Sequence, residues 1–539
     1  MKRRNFILTS TAGSASLLVG ISTIACSSEK QKTSQDYSNF PLLEKTVKDL
    51  QQDMQSGKYS SAELTRLYLD RIFKIDKNGP KVNSIIEINP DAIIIAGQCD
   101  KERKEGKVRG PLHGIPILLK DNINTADKMV TSAGSLALAN SIAQRDAFIV
   151  KRLRDAGAVI LGKTNLSEWA NFRSTRSSSG WSGRGGQTHN PYITDRNPCG
   201  SSSGSGVAVS SNFCALAIGT ETDGSIVCPS STNGIVGIKP TLGLWSRTGI
   251  IPIAHSQDTA GPMARNVSDA AILLGVLAGI DEIDDITGDS DGKAHADYTK
   301  FLNINGLKGA RIGVSRNFFG FHERVDELME VVISDLKRLG AEIVDPANIE
   351  YLKECGEAEN EVLHYEFKAD LNSYLSQLPS GFPIRTLEQI IAFNRKYAHK
   401  ELRFFGQETM IKSNEKGPLT NKLYIEALAN LRKYSRELGI DATMKKYNLQ
   451  AIIAPTGGPA WTIDPVNGDR YLGGSSSPAA CAGYPSITVP AGFIDELPIG
   501  VSFIGKAWSE PELISFAYAY EQGTKHRKPP KFLPTLPIE

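Results

Sequence analysis

The sequence predicts an α/β protein: a single large domain with a largely parallel or mixed β-sheet covered by helices. Two observations lead to this prediction. Short apolar segments of strand length alternate with helical segments from both ends of the 539-residue chain. Neither an internal repeat nor a linker-like stretch follows residue 40, so nothing divides the chain further. We therefore assign residues 40–539 to one domain.

The first 25 residues have the composition of an export signal. A basic start with Arg3-Arg4 is typical of a twin-arginine signal, and the apolar run behind it is too rich in Ser, Thr and Gly for a transmembrane helix. The run ends at Cys26 in a sequence similar to a lipoprotein cleavage box, although Thr23 fits its first position poorly. We expect an exported protein, periplasmic or lipid-anchored at Cys26 to a bacterial envelope membrane, and plain secretion with cleavage nearby stays open. Residues 26–39 form a polar tether.

Charge and ligand spacing exclude other classes of protein. The chain has 61 basic and 59 acidic residues, and three of the basic ones lie in the export signal, so a near-neutral surface gives no reason to expect nucleic acid. The eight histidines form no HExxH-like pair, so we expect neither a metal nor a cofactor. We expect the cysteines after Cys26 to be buried free thiols, since their spacing fits neither a zinc site nor a disulfide framework. These are Cys99, Cys199, Cys214, Cys228, Cys355 and Cys481.

The first half of the chain supplies four elements and a long loop. Ser60 and Glu63 form a capping box ahead of the amphipathic helix LTRLYLDRIFKI. Residues 117–120, ILLK, have the length and character of a buried strand, and 146–165 predicts a helix followed by a strand. The polar stretch 174–204 indicates a loop, and a loop of this length inside a domain usually carries function.

The second half continues the alternation of helices and strands and ends in a helix. The predicted elements are a short helix at 207–213, a buried strand at 214–219, a helix at 267–279 with Ser268 as N-cap, a surface segment at 281–306, strands at 449–456 and 485–492, and a last helix opened by a capping box of Ser509 and Glu512.

A serine nucleophile is the first chemistry to consider, because serine and glycine are crowded at two points. Gly200–Gly204 fits the pattern G-x-S-x-G of a nucleophile elbow, which requires a preceding strand. A polar segment with Pro198 precedes it instead, and this segment cannot be a central strand. The α/β-hydrolase interpretation is therefore disfavoured.

Ser225 is better placed to attack a carbonyl group. It follows the predicted strand 214–219 and a tight polar turn, and Pro229 suits the first turn of a helix behind it. Backbone N–H groups at such a turn have no intrahelical partner and can stabilise an oxyanion. A plain helix N-cap is an equally good interpretation of this serine from local features.

A serine hydroxyl needs a base, and Lys120 is a candidate. It ends an apolar strand, and a lysine carried into the interior loses solvation of its charged form, so its pKa falls. A neutral amine can accept a proton, as in Ser–Lys pairs. The alternative is an ordinary lysine whose ammonium group reaches the surface.

Several segments together resemble the amidase signature family. GIPILLKDNI is similar to its lysine motif, CGSSSGSG to its glycine–serine segment, and GTETDGSIVCPSSTNGIVGIKPT to its nucleophile motif and the strand behind it. GGQTHNPY and SQDTAGPMAR resemble flanking motifs. The motifs occur in the family's order, and the resemblance covers roughly residues 40–530.

This resemblance implies an amide hydrolase with a Ser–cis-Ser–Lys triad. By position, Ser225 is the nucleophile, Lys120 the base, and Ser201 the bridging serine behind an unusual cis peptide bond. No cofactor or metal is implied. The oxyanion hole and its support are carried by the backbone N–H groups of Thr222, Asp223, Gly224 and Ser225, with Ser202 hydrogen-bonded to the network.

Two departures from the common family pattern refine the expectation. Asp223-Gly224-Ser225-Ile226-Val227 stands where Gly-Gly-Ser-Ile-Arg is common, and Cys199 stands in place of a glycine. Together with GWSGRGGQT and CGSSSGS, these changes are similar to the bacterial peptide amidase branch, which implies a C-terminal peptide amide as substrate. Membrane contact is expected only through the lipid anchor at Cys26, which the N-terminal pattern predicts. The alternatives are a broad aryl or fatty amide amidase, a glutamyl-tRNA amidotransferase A-like subunit, and a catalytically silent binding lipoprotein.

Overall fold

An eleven-stranded mixed β-sheet organises the fold, in a computed structural model that describes residues 37–537. The chain from Leu42 onward forms one compact unit, and the described residues 37–41 lie outside any helix or strand. This confirms the prediction of a single large α/β domain. The predicted export signal, Cys26 and the tether up to residue 36 lie outside the described residues.

Thirteen strands occur in the described chain, eleven in the main sheet and two in a small hairpin. They are β1 Ile85–Ile88, β2 Pro116–Lys120, β3 Val159–Thr164, β4 Trp181–Ser182, β5 Gly186–Gln187, β6 Leu216–Glu221, β7 Val236–Lys239, β8 Thr259–Ala264, β9 Arg311–Val314, β10 Glu342–Val344, β11 Ala451–Pro455, β12 Ser486–Ile494 and β13 Leu497–Ile504. The order across the main sheet is β1-β3-β2-β6-β8-β7-β12-β13-β11-β9-β10.

The helices of the described chain lie between and beside these strands. They are α1 Val47–Gln55, α2 Ser61–Arg71, α3 Ala92–Lys104, α4 Phe148–Asp155, α5 Ser203–Ser210, α6 Val227–Thr232, α7 Val267–Leu277, α8 Glu323–Arg338, α9 Leu352–Ser376, α10 Leu387–Lys396, α11 Ala398–Glu401, α12 Glu408–Asn414, α13 Lys422–Arg432, α14 Asp441–Tyr447, α15 Ser477–Ala482 and α16 Glu510–Thr524. π-Helical stretches extend α2 over Ile72–Asn78 and α13 over Lys433–Ile440. None of the helices described is long and apolar enough to cross a membrane.

The centre of the sheet brings two strand ends together. β2 pairs in parallel with both β3 and β6, and all residues of these three strands are buried. Parallel strands end at the same edge of a sheet. The last residue of β2, Lys120, therefore lies beside the turn that follows β6.

Most predicted elements form, and the long polar stretch 174–204 carries only the β4–β5 hairpin before α5 begins. The Ser60–Glu63 capping box is present at α2. Two predicted caps are wrong. Asn266 replaces Ser268 as the N-cap of α7, because the Asn266 side chain accepts from the Asp269 N–H.

The Ser509–Glu512 box does not form, since the Ser509 hydroxyl donates to the Lys506 carbonyl at 2.7 Å.

The prediction that residues 281–306 form a surface segment is also partly wrong. Asp281 and Asp284 are buried, and their carboxylates accept hydrogen bonds from the chain around Ser246 and Arg247.

Candidate active site

Lys120 lies at the buried end of β2 and is hydrogen-bonded on three sides. Its Nζ donates to Ser201 Oγ at 2.7 Å, to Thr220 Oγ1 at 2.8 Å and to the Thr220 carbonyl at 3.1 Å. Ser201 precedes α5 and Thr220 belongs to β6, so the lysine joins the two segments that carry the serine-rich motifs. The alternative of a lysine that reaches solvent does not hold, because Lys120 is fully buried.

The protonation of Lys120 is set mainly by burial. Burial lowers the pKa of Lys120 to about 7, and the negative charges of Asp258 and Glu221 oppose this shift. Neither carboxylate forms a salt bridge with the lysine, since each is engaged with backbone N–H groups. The amine is therefore available in its neutral form near neutral pH.

Ser201 and Ser202 lie immediately before α5, the helix that leads to β6. The structure contains a cis peptide bond between Gly200 and Ser201, at the position the resemblance implied. Ser202 joins three segments. Its hydroxyl donates to the Thr220 carbonyl at 3.0 Å and accepts from the Thr220 N–H at 3.1 Å, while its own N–H donates to the Ser225 carbonyl at 3.1 Å.

Ser225 is the last residue of a tight turn formed by residues 222–225. Glu221 Oε2 accepts from the N–H groups of Ile226 at 2.7 Å and Val227 at 3.0 Å, which caps α6. Among residues 37–537, no acceptor is found for the N–H groups of 222–225. Gly224 has a φ of +77°, a conformation that favours glycine, and an added Cβ would lie 2.9 Å from Ser476 Oγ. A turn of this kind can bind an oxyanion.

A disulfide joins the two serine-bearing segments, and the expectation of free thiols at these positions is wrong. Cys199 and Cys228 are bonded, with their Cα atoms 6.1 Å apart. Cys199 lies two residues before Ser201, and Cys228 lies three residues after Ser225. The two segments meet because α5 and β6 fold back on each other, a non-local approach that cysteine spacing does not reveal. The other four cysteines after the tether are buried free thiols, as predicted.

A cavity of about 610 Å³ opens beside this centre. Thr220 and Thr222 from the segment before Ser225 and Asn122 from the segment after β2 are among its lining residues. Apolar residues such as Ile251 and Leu378 line its walls. The Asn122 side chain donates to Thr220 Oγ1 at 3.0 Å, so the cavity lining is bonded to a hydrogen-bond partner of Lys120.

His255 and Asp370, which line this cavity, form a group of potential metal ligands with Glu366. In the described part of the chain, donor atoms of His255, Glu366 and Asp370 lie within 4.8 Å of one another. All four carboxylate oxygens already accept hydrogen bonds, from His255, from Tyr424 and from the Ser256 N–H. The group is thus a hydrogen-bonded network that holds the loop of His255 against α9.

Several residues of the site were missed by the sequence analysis. Thr220 contacts Lys120, Asp258 accepts from the Thr222 hydroxyl, and Glu221 caps α6. Thr220 and Glu221 lie inside the motif that drew attention to Ser225, so an apolar strand ending in polar residues was an available signal. Asp258 lies immediately before β8, in the connection from β7, and no local sequence pattern indicates its role.

Comparisons with known proteins place this site in a class. Residues 63–514 match the family model described as Amidase. Native peptide amidase from Stenotrophomonas maltophilia shares 52% sequence identity, with a TM-score of 0.87 over 92% of this chain and 99% of that structure. A probable amidase of Arabidopsis thaliana is 41% identical, over 92% of this chain and 93% of the relative. A glutamyl-tRNA(Gln) amidotransferase subunit from Coxiella burnetii is 34% identical, over 91% of this chain and 100% of the relative.

These matches and the buried lysine–serine contact define the class: a serine hydrolase that acts on carbon–nitrogen bonds of amides. The chain belongs to the amidase signature family. The alternative of a catalytically silent binding protein is therefore wrong.

Proposed function

We propose that the protein hydrolyses a primary amide through an acyl-enzyme on Ser225, with Lys120 as base and Ser201 as proton relay. The observation that carries the proposal is the 2.7 Å hydrogen bond between Lys120 Nζ and Ser201 Oγ. It links a buried amine with a pKa of about 7 to a hydroxyl whose neighbour, Ser202, is hydrogen-bonded to the Ser225 backbone. A base within hydrogen-bond reach of a hydroxyl is what activation of a serine requires.

The proposed reaction has two halves. Ser225 Oγ bonds to the amide carbon while its proton passes to Ser201, and the Ser201 proton passes to neutral Lys120. The N–H groups of 222–225 bind the oxyanion. When the C–N bond breaks, the relay returns a proton to the nitrogen, which leaves as ammonia. Water then attacks the acyl-enzyme, releases the acid and restores the Ser225 hydroxyl.

The proposed substrate is the C-terminal carboxamide of a peptide. The similarity to a peptide amidase supports it, because that similarity covers 92% of this chain at 52% sequence identity. The cavity supports it too. Its volume of about 610 Å³ is in the range that holds a small ligand, and its lining contains both polar and apolar residues. Three alternative substrates are tested by experiment below. They are a fatty amide, an aryl amide and glutamine, the last being the substrate expected of an amidotransferase subunit.

Labelling with a fluorophosphonate tests the assignment of Ser225. We expect wild-type protein to be labelled at Ser225 and Ser225→Ala to remain unlabelled. Ser203→Ala is a matched control, because Ser203 is a buried serine whose hydroxyl donates to the Cys199 carbonyl. Labelling of Ser225→Ala at the wild-type rate would refute the assignment.

A substrate panel tests the proposed specificity. Ammonia or amine release is measured from a peptide C-terminal amide, an internal peptide bond, a long-chain fatty amide, an aryl amide and glutamine. We expect turnover of the first with the others at least about tenfold lower in kcat/KM, a difference of about 1.4 kcal/mol in transition-state binding. A preference for the fatty amide, the aryl amide or glutamine would replace the proposed substrate while leaving the triad assignment in place.

We also propose export and lipid anchoring at Cys26. The supporting observations are the basic start, the modestly apolar run and the cysteine at its end. Cys26→Ala is expected to release the protein from membrane fractions without changing kcat. Membrane association that persists in this variant contradicts the anchor.

A further inference from the structure

The pairing of β6 with β8 stops where the turn of residues 222–225 begins. The last antiparallel pair is Glu221 with Thr259, and the same register places Thr222 opposite Asp258, just outside both strands. At this position a side-chain hydrogen bond joins the two segments, because the Thr222 hydroxyl donates to Asp258 Oδ1 at 2.5 Å. The first residue of the turn is therefore fastened to the start of β8 by the Asp258 carboxylate.

The second oxygen of this carboxylate is held by the segment before it. Asp258 Oδ2 accepts from the backbone N–H groups of Ile253 at 2.7 Å and Ala254 at 2.9 Å. The Asp258 N–H donates back to the Ala254 carbonyl at 2.8 Å, which closes a short loop of residues 254–258. The carboxylate cannot turn away from Thr222 without breaking these bonds, so it is a fixed acceptor for the Thr222 hydroxyl.

The same segment forms part of the wall of the cavity beside the proposed triad. Ile253, Thr222 and Asp258 are among the residues that line this cavity of about 610 Å³. Hydrogen bonds to the turn also come from three other residues of the described chain, none of which lines the cavity: Ser202, Gln257 and Ser477. Asp258 thus joins the turn to the surface against which a substrate would lie.

We propose that Asp258 is a positioning residue that fixes the turn 222–225 relative to the cavity wall, so that the N–H groups of the turn meet the carbonyl oxygen of a bound amide. The inference rests on the proposed function, in which Ser225 attacks and these N–H groups bind the oxyanion. It adds a residue outside the triad, and it assigns a role to the side chain of Thr222 in addition to that of its backbone N–H.

Loss of this link is expected to affect the chemical step more than substrate binding. The wall and the turn must keep a fixed separation, because an amide that rests on one presents its oxygen to the other. The turn acts on negative charge that develops only in the transition state. When Thr222 loses its acceptor, the N–H groups of the turn are less well aligned with that charge, so kcat falls while KM changes little.

A double-mutant cycle between Asp258 and Thr222 tests this proposal, with kinetics on the amide that wild type hydrolyses best. Asp258→Ala should lower kcat by about 10²-fold and change KM by less than about threefold. Asp258→Asn and Thr222→Val should each lower kcat by about tenfold, since the first keeps weaker, uncharged hydrogen bonds and the second removes the donor. The double variant Asp258→Asn/Thr222→Val should lose no more than about twofold beyond either single variant, because both changes break the same contact.

Asp269→Ala is the matched control for the loss of a carboxylate that holds the backbone. Asp269 is a buried aspartate whose Oδ1 accepts from the Val47 N–H at 3.1 Å, and it lines a different cavity. This variant should unfold more readily in urea and keep kcat within about threefold of wild type. An equal loss of kcat in Asp269→Ala and Asp258→Ala would assign the loss to stability and overturn the proposal.

Three further results would overturn the role of Asp258. Losses that multiply to about 10²-fold in the double variant would mean that Asp258 does not act through Thr222. A kcat as low in Asp258→Asn as in Asp258→Ala would assign the effect to the negative charge near Lys120, since the amide keeps hydrogen bonds but not the charge. Wild-type kcat in Asp258→Ala would leave the residue without a role in turnover.

Two arrangements keep the outcome decisive. If Asp258→Ala does not fold, the cycle of Asp258→Asn with Thr222→Val decides alone. Fluorophosphonate labelling separates this result from the proposed function. A wild type that is not labelled at Ser225 defeats the proposed function, whereas a labelled wild type with multiplied losses in the cycle defeats only the role of Asp258.

Discussion

Two buried lysines on neighbouring parallel strands, Lys120 on β2 and Lys163 on β3, have different surroundings. Lys120 Nζ contacts Ser201 Oγ and both oxygens of Thr220. Lys163 Nζ contacts the Ile123 carbonyl at 2.5 Å and Thr131 Oγ1 at 3.0 Å. Burial lowers the pKa of Lys120 to about 7 and that of Lys163 to about 8, the latter opposed by Asp121, Asp127 and Glu87.

The contrast shows that burial alone does not make a lysine a base. Both amines are desolvated, and both lose part of their affinity for a proton. Lys163 is held between a carbonyl and a hydroxyl in a buried turn near the carboxylate of Asp121. Lys120 instead contacts Ser201, which lies close to the 222–225 turn, and this contact is the one through which the proposed proton relay runs.

The largest expected effect comes from removing each of the two lysines in turn. Lys120→Ala should lower kcat by about 10³-fold or more, because the base is lost. Lys163→Met should leave kcat within about threefold of wild type and lower the free energy of unfolding by about 1–3 kcal/mol, since the Ile123 carbonyl and the Thr131 hydroxyl lose the hydrogen bonds that Lys163 donates. Steady-state kinetics and urea unfolding measure both. A catalytic loss at Lys163 as large as at Lys120 would remove the contrast.

The bridging serine gives the next effect. Ser201→Ala should lower kcat by about 10²–10³-fold, less than Lys120→Ala, because a water in place of the hydroxyl can still relay a proton. Ser205→Ala is the matched control: Ser205 is a buried serine of α5 whose hydroxyl donates to the Ile218 carbonyl at 3.0 Å. Near-normal turnover in Ser201→Ala would mean that Lys120 reaches Ser225 by another route.

Several parts of this site could be predicted from sequence, and the reason is local. An apolar strand that ends on Lys120 and a second strand that runs into the turn before Ser225 are both visible in short windows. The family's order of motifs then links them. The residues that contact this turn come from distant segments: Asp258, just before β8, accepts from the Thr222 hydroxyl, and the Ser477 hydroxyl of α15 donates to Asp223. Their roles depend on packing, which no short window contains.

The pH dependence of activity gives a second distinction between the lysines. Only neutral Lys120 accepts a proton, and its amine is neutral above its pKa, so activity is lost as pH falls and gained as pH rises. We expect kcat/KM to increase about tenfold per unit of pH on the acid side and to level off above about pH 7. Lys163→Met should show the same midpoint. A different midpoint in this variant would mean that Lys163, and not Lys120, determines the pH dependence.

The disulfide gives the smallest expected effect on turnover. In the chain-entropy model, the 29-residue separation of Cys199 and Cys228 corresponds to about 3–4 kcal/mol of stability. The double variant Cys199→Ser/Cys228→Ser should therefore unfold more readily but lose only about two- to fivefold in kcat, because hydrogen bonds of Ser202 still hold the two segments. A reductant should lower the stability of wild type and leave the double variant unchanged. An equal response of both proteins would contradict a role of this bond.

The disulfide between Cys199 and Cys228 separates the site into a part held by a covalent bond and a part held by strand pairing. It closes a covalent ring that contains Ser201, α5, β6 and the 222–225 turn with Ser225. Lys120 alone of the proposed triad lies outside the ring, and the pairing of β2 with β3 and β6 holds it there. The proposed nucleophile and relay thus share one closed loop of chain, whereas the proposed base lies on a separate strand. Separation of β2 from β6 would therefore move Lys120 away from Ser201 while the loop that contains Ser201 and Ser225 stays closed.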